Sequence, residues 1–236
     1  MSASAKRATR RRLAPPLAAV LLSFVLAAPA ARTGAAEAGI HSPFESEVLA
    51  ELNRARGDPR GYAESLRRLR DSFRDRFSYV EDGVNYLTQE GIAAVDEAIA
   101  FLLQARAVAA LGESRGLALA ARDLVVDQAL RGGTGHRGSD GSDPLQRVGR
   151  YLRLTPSHFL TQADRVAVGE VIAYGRDRAR AIVTMLIVDD GVPDRGHRQA
   201  VFDSRFTHAG IAFGPHSLYG WACAIDLAGA FQERHR

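Results

Sequence analysis

The chain has 236 residues, with 31 Lys+Arg against 27 Asp+Glu, 46% hydrophobic residues and a single cysteine. Its positive excess sits in the first 30 residues, which carry Lys6, Arg7, Arg10, Arg11 and Arg12 and no acid; the remainder holds 26 bases against 27 acids. A sequence pI of 9.6 therefore does not mark a nucleic-acid footprint, and one cysteine rules out an internal disulfide.

Residues 1–30 read as a secretory signal peptide: the basic run, the apolar stretch Leu17 to Ala28, then the small-residue site Ala28-Pro29-Ala30. An uncleaved anchor is the alternative, although the apolar run is short for a bilayer span. Thr9 to Leu13 loosely resembles a twin-arginine export signal. The expected location is secreted, periplasmic or cell-envelope, with no stable transmembrane span once the signal is removed. Residues 31–43 read as a flexible leader and 44–236 as one domain, large enough to bury its own core.

From Phe44 a helix is expected, with Val48, Leu49 and Leu52 on one face and Gly57-Asp58-Pro59 as its stop. Tyr62, Leu66 and Leu69 suggest a second short helix. Arg70 to Thr88 has no clear period and reads as loop. Gln89 to Arg106 is the cleanest amphipathic helix, through Ile92, Val95, Ile99, Leu102 and Leu103. Ser114 to Leu130 makes another helix, closed by Gly132-Gly133, and Arg178 to Val188 a further one. Strands are expected over Val166 to Tyr174, Ala209 to Phe213 and Tyr219 to Leu227. Helices before and among strands without βαβ alternation predict an α+β layered domain.

The chemistry concentrates in the C-terminal half. Gly135-His136-Arg137-Gly138 and Gly196-His197-Arg198 bracket Gly169-Glu170 and Asp189-Asp190-Gly191. Glu170 stands in an otherwise apolar strand, so it must face solvent or be paired. Asp189 and Asp190 follow a helix C-terminus, the unfavourable sign for its dipole, and so call for a ligand or partner. Other patterns carry less. Gly133-x-Gly135-x-x-Gly138 lacks a βαβ context, Ser157-His158 makes no dyad by itself, and His208 and His216 read as surface residues near strand ends. Cys223, in an apolar stretch, reads as a buried thiol.

In this order the motifs resemble the CAP superfamily of cysteine-rich secretory proteins, venom allergens and plant pathogenesis-related proteins. The match opens at Phe44-Glu45-x-Glu47-Val48-Leu49-x-Glu51-Leu52-Asn53-x-Ala55-Arg56. It runs on through Leu117 to Gln128, the His136 loop, Arg147-Val148, Gly169-Glu170 and Gly196-His197-Arg198. The resemblance implies a three-layer α-β-α sandwich with a central cleft. His136, Glu170, Asp189 and His197 would line that cleft and hold a divalent metal, zinc by donor type. Asp189 replaces the family's more usual glutamate, so Asp190 is the alternative fourth member. The implied function is non-enzymatic binding, with lipid or sterol ligands or a cell-envelope partner, and a monomer is expected. The alternative is a metal-dependent hydrolase with Glu170 as general base. Set against the family's minimal domain, the segment 70–106 is longer and reads as a helical insertion that would cover part of the cleft.

Overall fold

In a computed structural model of the protein, residues 40–154 and 167–234 are described. The expected signal peptide, the leader as far as residue 39, the start of the Val166 strand and Ser157-His158 lie outside them.

Chain order is α1 (Pro43–Gly57), α2 (Pro59–Asp71), β1 (Ser78–Glu81), β2 (Val84–Leu87), α3 (Ile92–Gln104), β3 (Gly112–Glu113), α4 (Arg115–Arg131) and α5 (Pro144–Tyr151). After them come β4 (Leu152–Leu154), β5 (Val168–Tyr174), α6 (Ala179–Val188), α7 (Gly196–Phe202), β6 (His208–His216), β7 (Gly220–Ala228) and β8 (Phe231–Glu233). The central sheet runs β3-β6-β7-β5, antiparallel except for the short β3–β6 pairing.

Strand alternation sends successive side chains to opposite faces, and both faces are covered. Val171, Ile211, Cys223 and Ile225 pack with α1, α3 and α6 residues such as Leu52, Leu102, Ile182 and Leu186. On the other face, Ile172, Ala212 and Ala224 meet Ala121, Leu124 and Val125 of α4. The expected α-β-α sandwich is what forms. Each fully buried Leu, Ile or Val contributes about 1.5–3 kcal/mol, and Cys223 is one of these core residues.

α4 lies very close to β6. A Cβ at Gly210 would sit 1.9 Å from the Ala118 backbone nitrogen, so no larger residue fits. This contact sets α4, and through it the loop that carries His136.

Three expectations need correction. The leader does not run flexibly to Pro43: His41 is buried with Nε2 accepting from Ile211 N at 2.9 Å, and Ser42 caps α1 in a reciprocal box with Glu45. Arg70 to Thr88 is not simply loop. It contains the hairpin β1–β2, turned by Asp82 and Gly83, both at positive φ, as a two-residue hairpin requires. His216 is no surface residue: it is buried, with Nε2 against Gly133 O at 2.8 Å and Nδ1 accepting from Leu218 N and Tyr219 N.

Candidate functional site

The site forms beside β5, the edge strand of the sheet. One imidazole comes from each helix layer: His136 from the α4–α5 loop and His197 from the first turn of α7. The His136 loop is gripped by a buried amide. Gln128 Nε2 donates to Gly135 O at 2.7 Å, while Gly135 N donates to the Tyr174 hydroxyl at 2.9 Å. Tyr174 in turn donates to Gln128 Oε1 at 3.0 Å. Both backbone groups of the residue before His136 are thereby held.

Glu170 lies on the sheet face toward α4 and α5, its side chain wholly out of solvent. Oε1 is 2.8 Å from His136 Nδ1, and Oε2 accepts from Arg147 Nη2 at 2.6 Å. Arg147, from α5, also donates to His136 O and Ser142 O. This is how a carboxylate in an apolar strand is paired. Sequence reasoning placed Arg147-Val148 only within the family match, gave Arg147 no role and expected no helix at α5. Its start is nonetheless written in Asp143-Pro144 and Gln146, a capping box with Pro at the first turn.

The second pair is built by a cap. Asp189 ends α6 in the left-handed region at φ 57, tolerable for Asp. Its Oδ1 is 2.6 Å from His197 Nδ1, and its Oδ2 accepts from His197 N at 2.9 Å and Arg198 N at 3.3 Å. The acid that sits badly for α6 thus sits well at the start of α7. Asp190 turns elsewhere, accepting from Gln89 N and Glu90 N at 2.6 and 2.7 Å. Asp189, not Asp190, is the residue brought to His197.

Between the pairs the two imidazole centroids stand 6.4 Å apart, tilted by 35°. Each Nδ1 is braced by a carboxylate, and neither Nε2 has a partner among the described residues. Each Glu170 oxygen has one such partner, His136 Nδ1 on Oε1 and Arg147 Nη2 on Oε2. Among the described residues no group of three or more His, Cys, Asp or Glu side chains is spaced to hold a metal ion. The four residues are brought together as two hydrogen-bonded pairs and not as four converging ligands.

A cavity of about 610 Å³ adjoins the His197 side. The hairpin, α2 and α6 wall it, with Phe73, Tyr79, Leu87, Met185 and Leu186 among its lining. The insertion is latched above it. Arg195 forms a two-pronged pair with Glu90 at 2.6 and 2.7 Å, holding that carboxyl down at about 2, and reaches Glu97 at 2.6 Å. Arg176 lies 3.7 Å over the Tyr86 ring and donates to the Tyr79 hydroxyl at 2.6 Å.

A helix-covered sheet with two carboxylate-braced histidines at its edge defines a class of cleft domain. The family model for the cysteine-rich secretory protein (CAP) family matches residues 49–225, and the chain belongs to that family. A similar solved structure is an outer surface protein from Borrelia burgdorferi, 15% identical, spanning 51% of this chain and 77% of that one with a TM-score of 0.39. No curated protein matches the chain. Among the described residues no helix is long and apolar enough to cross a membrane.

Proposed function

We propose that this CAP-domain protein is exported and works by binding rather than catalysis, taking a divalent cation between His136 and His197 and an apolar ligand such as a lipid or sterol in the adjoining cavity. The observation that carries the reading is the pair of imidazoles, each oriented by a carboxylate on Nδ1 with Nε2 left open. Carboxylate–histidine pairs of this kind fix the tautomer and raise the basicity of metal-binding imidazoles. Two imidazole donors suit zinc, with the remaining positions left to water or ligand. Glu170 and Asp189 act as bracing groups in this reading, because their oxygens are already engaged. Zn–N bonds of about 2.1 Å ask the rings to approach slightly from their 6.4 Å separation.

Isothermal titration of zinc into wild type and a His136→Ala/His197→Ala variant tests this. One site is expected in the wild type and none in the variant, and uptake should weaken as pH falls because protons compete for the imidazole nitrogens. Equal heats from both proteins would remove the site.

A further inference from the structure

Arg195 stands in the left-handed region at φ 53, directly before the helix that carries His197. Glycine would sit there without strain, so the side chain must justify the choice. Its guanidinium reaches outward to Glu90 and Glu97 of the insertion, and back to the carbonyls of Asp189 and Val192 at 2.9 and 3.1 Å. One side chain thus ties the insertion to the turn between Asp189 and His197.

The same turn is fastened to the insertion at further points. Gly191 N donates to Glu90 Oε1 at 2.7 Å, Asp190 accepts from Gln89 N and Glu90 N, and Arg198 Nη1 donates to Glu97 Oε1 at 3.0 Å. A Cβ on Gly191 would run into the Gln89 side-chain amide, so the two segments are in close contact. Residues 189–198, which carry both Asp189 and His197, therefore lean on residues 89–97. The other half of the site is held differently: the backbone of Gly135 and His136 is gripped by Gln128, Tyr174 and Arg147, from α4, β5 and α5.

Resting on the reading of His197 as a cation ligand, we infer that the insertion is a working part of the His197 half of the site, with Glu90 as its positioning residue. Glu90 bonds to neither imidazole among the described residues. It acts through its two-pronged pair with Arg195 and its bond from Gly191, a charge-assisted geometry that fixes direction as well as distance. The turn held in this way keeps Asp189 on His197 Nδ1 at 2.6 Å. Outer groups that orient a metal-binding imidazole typically change metal affinity about 10–100-fold when removed.

Glu90→Ala tests this with two readouts. The position is partly exposed and Arg195 keeps Glu97 as a partner, so no charge is stranded. Without zinc, amide hydrogen exchange should speed about tenfold at Gly191 and His197 and stay unchanged at Gly135. With zinc, affinity by titration should fall about tenfold. Glu90→Gln keeps the shape and an acceptor for Gly191 N; it should show smaller effects of the same kind, and it serves alone if the alanine variant does not fold. Asp96→Asn, which weakens the insertion's Arg70–Asp96 pair, should change neither readout. Unchanged exchange at Gly191 and His197 in the Glu90 variants would overturn the inference, as would equal acceleration in Asp96→Asn. Faster exchange with unaltered zinc affinity would make Glu90 a structural latch only and overturn it too. A wild type that takes up no zinc, while exchange at His197 still follows Glu90, would overturn the cation reading and leave the positioning of His197 standing.

Discussion

Glu170 on β5 and Asp226 on β7 stand opposite one another in cross-strand register, two carboxyl groups on the sheet face that also receives the Arg147 guanidinium. Asp226 is completely buried, and among the described residues no N–H or O–H donor reaches either of its oxygens. Burial first, and the charge of Glu170 second, push its carboxyl well above the usual 3.8. Asp226 therefore holds its proton beside a Glu170 carboxylate tied to Arg147.

The sign of the resulting pH dependence follows directly. The unfolded chain releases this proton near pH 4 while the folded chain keeps it, so Asp226 costs stability as pH rises from about 4 toward its folded value. Asp226→Asn removes that titration. Its stability relative to wild type should rise between about pH 4.5 and about pH 7 in urea unfolding. A difference that stays constant across the two pH values would contradict the assignment.

Arg147→Met leaves the buried Glu170 without its countercharge. Breaking a buried pair from one side costs about 3–5 kcal/mol, and the carbonyls of His136 and Ser142 lose their donor as well. The urea midpoint should drop accordingly. A loss under about 1 kcal/mol would show that Glu170 finds compensation elsewhere.

Asp189→Ala removes three hydrogen bonds to the start of α7 and puts Ala at positive φ. The combined loss is about 2–4 kcal/mol. Asp189→Asn should cost less, since Asn visits the left-handed region and retains an acceptor oxygen. Thermal unfolding of both variants checks the order, and an Asn variant as damaged as Ala would point to charge alone.

Gly210→Ala should destabilise by at least about 3 kcal/mol, because its Cβ meets α4 backbone and not a movable side chain. Gly214→Ala is the milder comparison: there the Cβ meets only the Val125 side chain, at 2.8 Å. Similar midpoints for the two would mean that α4 can shift off the sheet.

Much of this architecture was legible because it rests on periodicity. The faces of α1, α3, α4 and α6 and the alternation in β5, β6 and β7 follow from local patterns that packing then uses. The β1–β2 hairpin was legible in principle, since Asp82-Gly83 sits between Ser78-Tyr-Val-Glu and Val-Asn-Tyr-Leu, but its strands are short and only half-buried, so alternation is weak. Arg147 was another matter. A fully buried arginine can be understood only from partners far along the chain, here Glu170, and no local signal carries that. Asp189 was the converse case: its poor fit to α6 correctly called for a partner, and that partner was the start of the next helix together with His197.

Whether the two imidazoles share an ion is the central question for this cleft. Anomalous scattering at the zinc edge from crystals of the protein grown with zinc tests it most directly. A single peak bonded to Nε2 of both His136 and His197, with Glu170 and Asp189 still on the Nδ1 sides, is the predicted result. No peak between the rings, or one bonded to the Glu170 or Asp189 oxygens, would contradict it.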